Sequence, residues 1–168
     1  MLATIEQVVT YKSASYTVRR PLNVGAALAG ASDAQQAALT SYGQPLGRAF
    51  QYRDDVMGVF GDEELTGKES GEDLREGKLT LLVAQTFANV KPTVAGKLAS
   101  LFGRPDLDAD GVDLVREIIC ESGALHLVEE SIERETSAAL RAIDNDILTD
   151  EGRSGLESLA NLATRRDF

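Results

Sequence analysis

The chain has 168 residues, 43% of them apolar, and carries 17 Lys and Arg against 27 Asp and Glu, a net charge of −10. That sign excludes binding along a phosphate backbone, and a single cysteine, Cys120, excludes an intrachain disulfide or a cysteine-rich zinc site. No apolar run approaches the ~20 residues that a membrane-spanning helix needs, and no basic segment followed by an apolar one opens the chain, so a cytoplasmic location is expected.

The periodicity is helical almost throughout, with apolar residues three and four apart and no run of β-branched strands between short turns. An all-α chain of about eight helices is expected, and the length suits a single unit spanning residues 1–168. Breaks are expected at Pro21, through Gly61 to Gly77, at Pro92, from Gly103 to Pro105 and from Gly152 to Gly155. Between them, Ser32 to Phe60 reads as one long helix, opened by the Ser32/Asp33 pair and tolerating Pro45 only as a kink or second start. Another runs from Ala124 to Asn145, with Leu125, Val128, Ile132, Thr136, Ala139, Leu140 and Ile143 as its apolar stripe.

At about 100° per residue, Tyr42, Leu46, Ala49, Val56, Met57 and Phe60 share one arc of the first long helix, the expected core face. Arg53 projects into that arc and implies an ion pair or an incompletely buried face. On the flank lie Gly43, Gly47, Gln51, Asp54 and Gly58, a strip nearly bare of side chains from which one carboxylate and one amide project. Interior helix glycines cost about 1 kcal/mol each relative to alanine, so the strip implies a bulky neighbour against the backbone, either a ligand or another helix.

After Asp54-Asp55, the only adjacent aspartate pair, a polar loop brings Lys68 and Lys78 back toward the carboxylates. Paired carboxylates are hard anions suited to Mg²⁺, which completes its shell with substrate phosphates. Lysines on the same phosphates would let so acidic a chain hold an anionic substrate. The bland alternative is a solvated acidic turn.

The segment from Gly47 to Asp62, followed by Thr66-Gly67-Lys68 and Asp73 to Thr80, resembles the second aspartate-rich region of trans-isoprenyl diphosphate synthases. Tyr11 to Ala14 and Pro21 to Gly30 resemble that family's Lys-Thr element and the helix after it. The likeness is strong from Leu2 to about Leu82 and weak beyond. It implies the carboxyl-terminal part of an isoprenoid synthase-type helical bundle. Its activity would be a Mg²⁺-dependent prenyltransferase reaction joining isopentenyl diphosphate to an allylic diphosphate, usually in a homodimer. On the same resemblance Asp54 and Asp55 would hold metal, with Asp73 holding metal-bound water. Lys12, Ser13, Gln51, Lys68 and Lys78 would bind the allylic diphosphate; Lys12, Ser13 and Lys68 would also serve catalysis, Ser13 standing where the family usually has threonine. Gly58 departs from the pattern, which commonly has a third carboxylate there. The first aspartate-rich motif has no counterpart, so one wall of a two-walled active site is expected, inactive alone. A noncatalytic partner that dimerises with or regulates a full-length synthase is the alternative.

Other signals have plainer readings. Asp106, Asp108, Asp110, Gly111 and Glu117 match a calcium loop in spacing, but Pro105 and Asp113 fit it badly, and capping of a helix near Val112 is expected instead. His126 reads as a structural histidine beside the apolar stripe and Cys120 as inert packing. Arg165-Arg166 reads as frayed surface charge.

Overall fold

The computed structural model describes residues 2–61 and 71–165. Among them there are helices and no strands: α1 (Leu2–Val8), a π-helical segment (Val9–Arg19), α2 (Arg20–Leu28), α3 (Asp33–Phe60), α4 (Glu72–Arg75), α5 (Leu81–Asn89), α6 (Pro92–Leu101), α7 (Ala109–Glu121), α8 (Ala124–Ile143) and α9 (Asp150–Thr164). No helix is long and apolar enough to cross a membrane. The chain divides into two compact units, one of residues 2–5 and 54–130, the other of residues 6–53 and 131–165 among those described.

Pro21 does not break the chain as expected. It stands in the first turn of α2, where the ladder changes register and the Arg20 N–H still donates to the Ser15 carbonyl five residues back. Proline cannot extend a hydrogen-bond ladder, and Pro21 sits where the π-helical ladder gives way to the α-helical one, so its missing N–H falls at the change of register. Pro45 likewise lies inside an unbroken α3. That helix opens on a reciprocal capping box: the Gln35 N–H donates to Ser32 Oγ at 3.3 Å, and the Ser32 N–H to Gln35 Oε1 at 2.9 Å. Gln35, rather than Asp33, is therefore the partner of Ser32.

In the second unit the expected arc of α3 is core. Tyr42 and Leu46 pack with Ala139 and Ile143 of α8 and Ala160 of α9. The fully buried Tyr42 hydroxyl donates to the Leu156 carbonyl at 2.6 Å. Arg53, anomalous as a core residue by sequence, is buried and caps α9: its Nε donates to the Thr164 carbonyl at 2.8 Å. A cation at a helix carboxyl terminus satisfies a terminal carbonyl and complements the helix dipole.

In the first unit Gly103 N–H donates to the Leu74 carbonyl at 2.9 Å and Arg75 Nε to the Leu107 carbonyl at 2.8 Å, pinning the short α4. Gly71 precedes it at φ +80, a left-handed conformation in which a Cβ would also strike Val112 at 2.7 Å. Asp108 caps α7 by accepting from the Gly111 N–H at 2.9 Å. The calcium-like spacing is therefore helical from Ala109 onward, and Asp106 pairs with Arg104 at 2.7 Å. Two plain readings change. Cys120 is exposed, because the adjacent Ile118 and Ile119 take the inward positions. His126 is also exposed and meets Glu130 one turn on at 3.3 Å, a surface pair.

Candidate functional site

The glycine strip of α3 is filled by protein. A Cβ at Gly43 would meet Arg19 Cα at 3.0 Å, and one at Gly47 would meet Ala14 Cα at 2.5 Å, so the π-helical segment lies directly on the α3 backbone. Lys12 and Ser13 immediately precede that contact, Lys12 exposed and Ser13 half-buried. Gln51, one turn beyond Gly47 on α3, is half-buried. The expected bulky neighbour is thus a helix at Gly43 and Gly47.

At Gly58 the neighbour is a carboxylate. A Cβ there would overlap Asp73 Oδ2, so the missing side chain makes the space in which the Asp73 head group sits. At position 58 the family pattern that the sequence resembles commonly has a carboxylate, and this chain has glycine instead; Asp73 brings a carboxylate to the same spot from α4. The usable signal is a glycine at a position that is acidic in the family pattern, paired with an aspartate further along the chain.

Lys78 returns to this point. Its Nζ lies 2.9 Å from Asp73 Oδ2 and 3.1 Å from Asp55 Oδ1. The two carboxylates are almost fully enclosed, whereas the Lys78 side chain keeps 38% of its surface exposed. Burial alone would lower the ammonium's affinity for its proton; the Asp55 charge and the hydrogen bond and charge of Asp73 outweigh it and hold Lys78 above the usual lysine range. Asp54, on the neighbouring position of α3, is half-buried. Lys68 lies outside the described residues. Among the described residues no three His, Cys, Asp or Glu side chains converge as a metal cage. The chemistry offered is that of a carboxylate pair gripping a cation, beside a third carboxylate.

Elsewhere in the second unit Tyr52 is buried, and its phenol is pushed up to about 12 by desolvation first, then by Glu6 and Glu135. Arg48 Nε donates to Glu135 Oε2 at 3.0 Å, neutralising part of that charge.

The family model described as polyprenyl synthetase matches residues 2–119. The chain belongs to the polyprenyl synthetase family. It is 33% identical over 145 residues to geranylgeranyl diphosphate synthase of Mycobacterium tuberculosis (strain ATCC 25618 / H37Rv), covering 86% of this chain and 40% of that one. To geranylfarnesyl diphosphate synthase of Aeropyrum pernix it is 40% identical over 106 residues, covering 63% and 32%. A crystal structure of geranylgeranyl pyrophosphate synthase from Corynebacterium glutamicum, complexed with isoprenyl diphosphate and magnesium, matches with a TM-score of 0.95 and 36% identity. That match covers 99% of this chain and 47% of the corynebacterial one. The chain thus spans less than half the length of these relatives, and within the polyprenyl synthetase fold it supplies an all-α portion.

Proposed function

We propose that this chain forms the wall of a polyprenyl diphosphate synthase active site that grips the allylic diphosphate, in a cytoplasmic, homodimeric enzyme joining that substrate to isopentenyl diphosphate. The observation that carries the reading is Lys78 held between the buried carboxylates of Asp55 and Asp73, with Asp54 adjacent. A carboxylate pair that already encloses an ammonium is a cation-seeking site, and its hard oxygen donors suit magnesium. Their small number fits an ion that takes the rest of its shell from water and phosphate oxygens. In this reading Asp54 and Asp55 hold Mg²⁺ and Asp73 orients metal-bound water. When bound, the ion would neutralise charge on a departing diphosphate.

The remaining work falls to side chains. Lys12, Ser13, Gln51 and Lys68 bind the diphosphate, and Lys78 turns from its carboxylates toward the same oxygens. Cations aimed at a leaving group act mainly as charge develops on it, so their loss appears chiefly in the chemical step.

Calorimetric titration tests this. Geranyl diphosphate with Mg²⁺ should bind the purified chain, and binding should disappear in Asp54→Ala and Lys12→Ala and in the presence of EDTA. Binding that survives EDTA or Asp54→Ala refutes the metal assignment. Complete absence of diphosphate binding leaves the noncatalytic-partner reading in its place.

A further inference from the structure

We propose that Lys78 is a placeholder cation: its ammonium holds the position between Asp55 and Asp73 that a metal ion needs, so the pair admits Mg²⁺ only as a diphosphate draws the lysine away. The inference deepens the proposed reading of this site and rests on it for the identity of the two incoming ions.

The first observation is occupancy. Lys78 Nζ lies 3.1 Å from Asp55 Oδ1 and 2.9 Å from Asp73 Oδ2, and those side chains keep only 3% and 7% of their surface exposed. Oxygens so enclosed cannot take a second cation beside the first without setting like charges in contact away from water, where screening is weakest. Ammonium and metal therefore compete for one place.

The second observation is which of the three groups can move. Asp55 belongs to the regular ladder of α3, and Asp73 fills the notch left by Gly58 on an α4 pinned through the Leu74 and Leu107 carbonyls. The Lys78 backbone is held too: its N–H donates to the Asp73 carbonyl at 3.0 Å, and its carbonyl accepts from the Thr80 N–H at 2.9 Å. Its side chain, by contrast, reaches solvent, and a flexible four-carbon stem can swing the head group outward with no change in the fold. The carboxylates are fixed and the lysine head is the mobile member.

The third observation concerns charge. Removing one partner from enclosed carboxylates is strongly unfavourable, the more so in a chain of net charge −10. Lys78 leaves at low cost only when a divalent cation replaces it and an anion receives its ammonium, and a diphosphate accompanied by Mg²⁺ supplies both. A site filled by its own lysine binds free metal with an affinity lowered by the fraction so filled, and a ligand that removes the lysine restores it. Metal and diphosphate thus bind with reciprocal positive coupling, and the site stays closed to metal alone.

The test is calorimetric titration of the full chain with Mg²⁺ alone. Lys78→Gln should bind the ion at least tenfold more tightly than wild type, and Lys78→Gln combined with Asp55→Asn should lose that gain. Lys91→Gln removes an exposed lysine from the same unit and should leave the affinity unchanged, which separates occupancy from net charge. Equal affinities in wild type and Lys78→Gln overturn the proposal, as does an equal gain in Lys91→Gln. Wild type supplies an arm that needs no variant: the ¹⁵Nζ resonance of Lys78 should shift along the Mg²⁺ isotherm, because the metal enters only as the ammonium leaves. Metal bound with that resonance unmoved also overturns the proposal. With geranyl diphosphate present, wild type should gain more Mg²⁺ affinity than Lys78→Gln does, and equal gains overturn the coupling. A chain that binds no diphosphate defeats the proposed function, while the metal-only comparison still decides whether Lys78 holds the place.

Discussion

Gly58→Ala sets two effects of known size against each other. Replacing an interior helix glycine by alanine stabilises a helix by about 1 kcal/mol when nothing else changes. Here the new methyl would overlap the Asp73 carboxylate, which is itself enclosed and tied to Lys78 at 2.9 Å. Displacing Asp73 forfeits a charged hydrogen bond of about 1.5–3 kcal/mol. Because the Lys78 side chain is 38% exposed, solvent screening reduces that to about 1–2 kcal/mol. The single variant should therefore lie between neutral and about 1 kcal/mol less stable than wild type. In an Asp73→Ala background the carboxylate is gone and the same substitution should stabilise by the full ~1 kcal/mol. Urea denaturation of the four proteins gives the coupling energy, expected at about 1–2 kcal/mol. If Gly58→Ala stabilises equally in both backgrounds, Gly58 does not make room for Asp73, and the seating of that carboxylate has another cause.

Three further outcomes are expected. The Tyr52 phenol is raised to about 12, so its contribution to stability is complete below pH ~10 and is lost as the pH climbs through 12; Tyr52→Phe should flatten this alkaline limb of the stability profile. Arg53→Met removes the donor from the Thr164 carbonyl, and should cost about 2 kcal/mol with hydrogen exchange accelerating first in the last turn of α9. Asp108→Ala removes a helix cap and should cost about 1 kcal/mol by urea melts, with or without millimolar Ca²⁺. A calcium-dependent rise in the wild-type thermal midpoint would contradict the capping role.

The parts of the fold readable from sequence are those governed by local rules. The α3 arc of Tyr42, Leu46, Ala49 and Val56 was legible because an α-helical period with one apolar stripe leaves a single way to face a core. Arg53 was legible only as an anomaly, since its partner is a carbonyl 111 residues later and a carbonyl has no sequence signature. The glycine strip was legible as a demand for close approach, but its two occupants, a helix at Gly47 and a carboxylate at Gly58, differ in chemistry that glycine cannot encode. Lys78 was visible as a lysine returning toward the doublet; its division between Asp55 and Asp73 depends on the turn around α4, held by hydrogen bonds to Leu74 and Leu107 carbonyls. The segment from Val9 to Arg19 escaped a reading built on 3.6 residues per turn, because its buried positions, Val9 and then Ala14 and Ser15, lie five and six residues apart.

That wide-pitched stretch bears on how the chain tolerates length changes. Ordinary helices cannot lose a residue without swinging everything on one side through about 100°. A run of five-residue hydrogen bonds carries slack that a deletion can take up by tightening to the common four-residue ladder, with no loop required. The cost is phase: excise one residue between Ala14 and Arg19, and the ladder survives while Lys12, Ser13 and Ala14 rotate together relative to Arg19, so the seats of Ala14 on Gly47 and of Arg19 on Gly43 cannot both be kept. Length variation here would therefore separate survival of the fold from survival of its aim.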